Sequence, residues 1–227
     1  MKASITRRLA ATLLALSAAA CGGTTRATPA PAPGPGVPAA VDVHGTHAAT
    51  GPAPAVNNGG HPWTEADARF MSSMIGHHAQ AIVIAQLAPT HDASPEVRRL
   101  AARIIGSQED EIATMRQWLA DRGLPVPEAH AGHHDHGGGM MPGMLTPAQV
   151  AQLDAARGED FDRLFLTFMI QHHRGAVAMV EQLFGSYGAG QDETVFKFAS
   201  DVNVDQATEI DRMQRMLEAL LFASPAP

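Results

Sequence analysis

Apolar side chains recur at helical spacing through most of the chain after residue 63, and this pattern predicts amphipathic α-helices. Threonine, serine or acidic residues mark the predicted starts, and proline or glycine follows most of the predicted ends. The predicted helices run from Thr64 to Ala88, Ser94 to Asp121 or Arg122, Thr146 to Gly158, Glu159 to Phe184, and Asp192 or Glu193 to Phe222. No segment shows sustained alternation of apolar and polar residues, so no sheet is expected.

The helical part of the chain contains two copies of one unit. Residues 70–81 align with 165–176 at an offset of 95, and 108–119 align with 206–217 at an offset of 98. The identical pairs are Phe70/Phe165, Met74/Met169, Ile75/Ile170, His77/His172, His78/His173, Ala81/Ala176, Gln108/Gln206, Glu111/Glu209, Ile112/Ile210, Met115/Met213 and Leu119/Leu217. Each unit predicts one helical hairpin, and two packed hairpins predict an all-α fold, a four-helix bundle.

The first 61 residues differ in composition from the rest. Residues 1–20 have a charged start and an apolar run too short to span a membrane, which predicts a signal peptide. Small residues before Cys21 resemble a bacterial lipoprotein cleavage box, so Cys21 is predicted to carry a lipid; an ordinary secretory signal is the alternative. Residues 21–61 are rich in Pro, Gly and Ala and predict a disordered tether. We expect an exported protein, anchored through its lipid and facing the periplasm or cell exterior.

The remaining residues, 62–227, are predicted to form one domain. It divides into repeat 1 at 62–123, a loop rich in His and Met at 124–145, and repeat 2 at 146–227. Without residues 1–20 the chain has 13 basic and 23 acidic side chains, a formal charge of −10 that argues against nucleic-acid binding. Because Cys21 is the only cysteine, any metal must be held by His, Met, carboxylate or amide groups.

Several polar residues fall on the apolar faces of the repeated helices. His78 and His173 lie near the middle of those faces, while the sequence leaves open whether His77 and His172 point inward. Buried polar groups need partners, and helical bundles build metal sites from such inward-facing side chains. The candidate metal ligands are Met74, His77, His78, Glu111, Met115, Met169, His172, His173, Glu209 and Met213.

The types of ligand favour copper. Imidazole with thioether favours reduced copper, whereas carboxylate with imidazole would suit zinc, iron or manganese, which are not excluded. For Gln108 and Gln206, and equally for Glu111 and Glu209, three roles remain open: ligation, orientation of the imidazoles, or plain interhelical hydrogen bonds. The loop between the repeats is predicted to capture metal through His130, His133, His134, His136, Met140, Met141 and Met144.

The sequence supports two functional hypotheses. The first is an extracytoplasmic copper-binding protein that buffers, sequesters or transfers metal, with a metal-transfer partner or a second copy of the chain as further partners. The second is a non-metal structural or partner-binding module of the cell envelope, in which a His–Glu or His–Gln network pins the bundle. Catalytic motifs are lacking, so no enzyme is expected; a metal-dependent oxidase is a weaker alternative.

The repeated motifs resemble those of the family called domain of unknown function 305. They run as Met74-Ile75-x-His77-His78-x-x-Ala81-Ile82 with Gln108-x-x-Glu111-Ile112-x-x-Met115, and as Met169-Ile170-x-His172-His173-x-Gly175-Ala176-Val177-x-Met179 with Gln206-x-x-Glu209-Ile210-x-x-Met213. The resemblance covers residues 64–222. It implies an exported bacterial protein with a ferritin-like helical bundle, in a family with some copper-associated members. It also implies functional roles for the Met-x-x-His-His and Gln-x-x-Glu positions.

Overall fold

Five α-helices dominate the computed structural model, which describes residues 55–56, 62–128 and 140–223. The helices are α1 Glu65–Ala85, α2 Pro95–Asp121, α3 Pro147–Ala155, α4 Gly158–Gly185 and α5 Glu193–Ala223. The all-α prediction is confirmed. The predicted signal peptide, the lipidation site Cys21, most of the tether and the loop histidines His130, His133, His134 and His136 lie outside the described residues.

The expectation of no sheet is wrong in one detail. Two strands of two residues each, β1 Ala55–Val56 and β2 Pro62–Trp63, pair antiparallel just before α1. Strands this short contain too few residues to produce the alternation by which a strand is recognised in a sequence.

Local side-chain chemistry explains where the helices begin. Thr64 accepts a hydrogen bond from the Asp67 backbone N–H at 3.2 Å, and the Asp67 carboxylate accepts one from the Thr64 N–H at 2.7 Å. Thr146 and Gln149 form the same reciprocal capping box at the start of α3. Ser94 caps α2, whose first residue is a proline. Helix α1 ends before the predicted Ala88 because the chain tightens there into a 3-10 turn, Ala88–Thr90.

The long helices pack as two hairpins. Helix α1 packs along α2, α4 packs along α5, and contact between α1 and α4 joins the two hairpins. The buried apolar side chains form two clusters, one around Met71, Met74 and Trp118 and the other around Ile104 and Phe165. None of the described helices is long and apolar enough to cross a membrane.

Two buried aspartates tie each hairpin to the inter-helix loop of the other. Asp67 in α1 accepts a hydrogen bond from the Gly190 N–H at 2.7 Å, in the loop before α5. Asp162 in α4 accepts one from the Ser94 N–H at 3.1 Å, in the loop before α2. The two aspartates are 95 residues apart, the offset of the first repeated segment. The repeat therefore includes this pair of aspartates, which the sequence analysis missed. Their identical residue type at the offset of 95 could have revealed them.

Residues 141–145 form an ordered strap that crosses α1 and α4. Met141, Met144 and Leu145 are buried in the core. The Gln80 side chain of α1 donates to the Leu145 carbonyl at 3.0 Å and accepts from the Leu145 N–H at 2.7 Å. The end of the predicted His/Met loop is therefore packed against the bundle, because its apolar side chains find room in the core.

Candidate metal centre

Four histidines meet in the interior, where α1 faces α4. His77, His78, His172 and His173 are each 0% exposed. The rings of His77 and His172 lie against each other across the helix contact, with their centroids 3.9 Å apart and their planes tilted by 40°. We call His77 and His172 the inner histidines, and His78 and His173 the outer ones. The ring centroids of neighbouring inner and outer histidines are 6.2 Å apart for His77–His78 and 6.3 Å apart for His172–His173. The four imidazoles thus form one cluster related by the repeat.

The outer histidines are each paired with a carboxylate from the second helix of the same hairpin. His173 Nε2 donates to Glu209 Oε2 at 2.8 Å. His78 Nε2 lies 2.6 Å from Glu111 Oε2, close enough for an ion pair, although the atoms are not aligned as a hydrogen bond. These pairs link α1 to α2 and α4 to α5 through the candidate residues predicted from the Gln-x-x-Glu motif.

The inner histidines are far less well satisfied. His77 Nε2 donates to the Pro142 carbonyl of the strap at 3.0 Å, but its Nδ1 is buried without a partner. Neither nitrogen of His172 has an aligned hydrogen-bond partner in the described part of the chain, although the backbone of His77 lies close enough to act on its pKa. Leaving a buried polar atom unpaired costs about 1–3 kcal/mol, so such atoms in native proteins call for an explanation.

Burial keeps the inner pair uncharged. It lowers the pKa of His77 from 6.5 to about 3, and the nearby charge of His78 acts in the same direction. Burial also lowers the pKa of His172 well below its ordinary value, helped by His77 and His173. A neutral imidazole keeps a lone pair on one ring nitrogen, which is the form in which histidine binds metals.

The four methionines of the repeated motifs are buried, two in each of the core clusters. Met74 and Met169 precede the inner histidines by one helical turn on the same side of the helix, and both are fully buried. Met115 belongs to the same core cluster as Met74, and Met213 to the same cluster as Met169. Of the loop methionines, Met141 and Met144 are buried in the cluster of Met74, whereas Met140 is exposed.

Both glutamines of the repeat lie in the core. Gln108 is buried with neither amide atom paired, and the Oε1 of buried Gln206 has no partner among the described residues. Each precedes the glutamate of its motif by one helical turn.

The donor set fits a soft ion better than a hard one. Within the described residues, no three His, Asp or Glu side chains are grouped so as to hold a metal. What the core offers is a pair of neutral imidazoles in contact, with ring nitrogens that lack an aligned partner among the described residues, and buried methionine thioethers on the same helices. Imidazole and thioether together suit reduced copper, which tolerates low coordination numbers.

The sequence analysis missed the group that holds His77, the backbone carbonyl of Pro142. Its position depends on two glycines, because Gly143 and Gly175 let the strap approach α4 more closely than any side chain would allow. The only sequence signal was the presence of glycine in both segments.

Comparison with known proteins agrees with this architecture. The model of the family described as a domain of unknown function (DUF305) matches residues 67–217. This chain belongs to the DUF305 family. No curated protein sequence is detectably similar to it.

Several solved structures share the DUF305 fold. A DUF305 protein from Streptomyces coelicolor is 29% identical, with 68% of this chain and 93% of that chain covered and a TM-score of 0.60. A DUF305 fragment from Deinococcus radiodurans is 32% identical, with 69% and 97% covered and a TM-score of 0.59. CopM in its Cu(II)-bound form is 30% identical, with 67% and 95% covered and a TM-score of 0.54. CopM has also been solved in Cu(I)-bound and Ag-bound forms.

Proposed function

We propose that this protein binds reduced copper outside the cytoplasm and serves to buffer, sequester or pass on the metal. One observation carries the proposal: the buried His77–His172 pair, whose ring centroids lie 3.9 Å apart and in which three of the four ring nitrogens lack an aligned hydrogen-bond partner among the described residues. A metal ion shared by the two rings would satisfy nitrogens that are otherwise costly to bury.

Copper is favoured over harder metals by the side chains around the pair. Met74 and Met169 are buried one turn away on the same helices, and their sulfur atoms are soft ligands. The similarity to CopM, solved with Cu(I) and with Ag, supports a soft ion, because silver is chemically close to reduced copper. Zinc, iron and manganese would call for more carboxylate or imidazole ligands at one point.

The surrounding residues have distinct tasks in this proposal. His77 and His172 would supply nitrogen ligands, while Met74 and Met169 would supply sulfur. Glu111 and Glu209 hold the outer imidazoles in fixed orientations, and Met115 and Met213 complete the apolar wall that excludes water. The copper would supply Lewis acidity and redox capacity, and neither is required for a storage or transfer role.

The location follows from the predicted leader and from one relative. Residues 1–20 predict export, and the similar Streptomyces coelicolor protein is described as secreted. Lipidation at Cys21 would keep the copper site at the membrane surface, where metal arrives. The loop histidines 130, 133, 134 and 136 would capture metal before it reaches the core.

The test is a titration of tag-free, metal-free protein with reduced copper in competition with a chromophoric chelator. Three proteins are compared: wild type, a His77→Leu/His172→Leu double variant, and a deletion of residues 130–136. We expect the wild type and the deletion to retain one tight site that the double variant lacks. Binding that survives in the double variant but disappears with the loop would overturn the proposal.

The second candidate is a helical module of the envelope that binds no metal. The His78–Glu111 and His173–Glu209 pairs favour it, because they are the polar network that a purely structural role would need. In that case none of the three proteins would bind copper, and replacing the inner histidines would weaken the fold.

A further inference from the structure

We propose that the strap fixes His77 as the tautomer with its proton on Nε2, so that Nδ1 is the atom that His77 offers to copper. Gln80 and Gly175 are the positioning residues that hold the strap in place. The copper half of this inference rests on the proposed function, while the tautomer half concerns the metal-free protein.

The hydrogen bond between His77 and Pro142 determines the tautomer. The Pro142 carbonyl can only accept, so Nε2 of His77, 3.0 Å away, must carry the proton. A neutral imidazole has one ring proton, which leaves the lone pair on Nδ1. That atom is buried and has no partner in the described residues. The bond thus prepares a specific ligand atom, as hydrogen bonds to metal-binding histidines commonly do.

Two sets of contacts hold the carbonyl in place. The Gln80 side chain forms two hydrogen bonds with the backbone of Leu145, at 3.0 and 2.7 Å. On the other side the strap lies directly on the backbone of α4 at Gly175. A Cβ at position 175 would lie 2.5 Å from the carbonyl carbon of Pro142 and 2.6 Å from the Cα of Gly143, and it would be closer still to the Pro142 oxygen. A side chain there must push away the carbonyl that His77 uses.

The repeat does not reproduce this arrangement in the other hairpin. His172 is the counterpart of His77, yet its ring meets no strap carbonyl: its one backbone contact is with His77 itself, and that contact is not aligned as a hydrogen bond. The strap therefore makes two equivalent histidines unequal, because it supplies an aligned backbone acceptor to His77 and none to His172.

The test is nitrogen NMR of the histidine rings in uniformly ¹⁵N-labelled protein. Spectra of the metal-free protein report which ring nitrogen carries the proton, and a His77→Gln variant identifies the His77 signals. Gly175→Ala displaces the strap by sterics, and Gln80→Met removes its hydrogen bonds at similar volume. Gly106→Ala is the matched control, since a Cβ at that helical glycine meets nothing within 4 Å.

We expect a single Nε2–H tautomer for His77 in the wild type and in Gly106→Ala, and a mixture in Gly175→Ala and Gln80→Met. Adding reduced copper should shift Nδ1 of His77, and the two strap variants should bind copper about 10–100-fold more weakly. An Nδ1–H tautomer in the metal-free wild type, or a tautomer unchanged in both strap variants, would overturn the inference. Copper bound through Nε2 would overturn it while leaving the proposed function intact. Absence of any copper binding would instead refute the function and the copper half together.

Discussion

Replacing His172 with leucine should leave the metal-free protein at least as stable as the wild type. This is unusual for a fully buried polar residue, and it follows because neither ring nitrogen has an aligned hydrogen-bond partner among the residues that the structure describes. His91 provides the matched comparison, because it is also buried but fully satisfied. Its Nε2 bonds Asp154 at 2.9 and 3.1 Å, and its Nδ1 lies 3.0 Å from Thr90 Oγ1.

The magnitudes separate the two substitutions clearly. An unpaired buried polar atom costs about 1–3 kcal/mol, and His172→Leu removes that cost. Leucine has a volume similar to that of histidine but packs imperfectly in its place, which lowers the free energy of unfolding by less than about 1.5 kcal/mol. His91→Leu instead removes hydrogen bonds that are made in the wild type and leaves their partner atoms unpaired, which costs about 1–3 kcal/mol. Because both variants replace a buried histidine with leucine, the packing loss applies to both, and their free energies of unfolding should differ by at least about 2 kcal/mol.

The assay is urea unfolding of chelator-treated protein, followed by far-ultraviolet circular dichroism. Free energies are compared at equal slopes, so that a difference in midpoint reports stability alone. Thermal unfolding offers a second readout, in which about 1 kcal/mol corresponds to about 2–4 °C for a domain of this size. Adding reduced copper should then stabilise the wild type and not the His172→Leu variant.

The opposite outcome has a clear meaning. If His172→Leu loses as much stability as His91→Leu, the imidazole must be making bonds that the fold requires. The inner pair would then be part of a structural network, and the argument that its free nitrogens await a metal would fail.

Three further predictions concern other parts of the molecule. The pKa of His77 is lowered from 6.5 to about 3 in the folded protein, so as the pH falls the unfolded chain binds this proton before the folded protein does. The metal-free protein should therefore lose stability as pH falls from about 6.5 towards about 3, with a shallower dependence in His77→Leu. Asp162→Ala leaves the Ser94 N–H unpaired and should cost about 1–3 kcal/mol in chemical unfolding, whereas exposed Asp160→Ala should cost under about 0.5 kcal/mol. Met74→Leu should weaken the binding of reduced copper more than the binding of zinc, as measured by competition titrations. Its free energy of unfolding should stay within about 1.5 kcal/mol of wild type.

The helices could be predicted from the sequence because local chemistry determines where they begin. Thr64, Ser94 and Thr146 cap helices with their own side chains, and each sits where the pattern indicated a start. The two hairpins could be predicted because the same residues recur at nearly constant offsets. The all-α class depended on these local and repeated signals and did not require knowledge of the tertiary contacts.

The arrangement of the histidines could not be predicted in the same way. Adjacent residues on a helix point about 100° apart, so His77 and His78 both fit within a broad buried face. Which of them meets α4 and which meets Glu111 depends on how α1 is rotated in the tertiary structure. The strap could not be predicted for a related reason. A run of glycines indicated a loop, and the burial of Met141, Met144 and Leu145 depends on tertiary contacts that the local sequence does not reveal.

Duplication of the hairpin explains why the unsatisfied pair lies at the centre. When two copies of one unit pack about an approximate twofold axis, a residue near the axis meets its own counterpart, as at the interface of a symmetric dimer. His78 and His173 lie away from that axis and reach a glutamate of their own hairpin. His77 and His172 face each other, and two neutral imidazoles crossing at 3.9 Å have no carboxylate between them. A single hairpin would leave the inner imidazole at its surface in water. Only the packed pair of hairpins buries two inner imidazoles together, and the soft cation that we propose would serve as a partner for both.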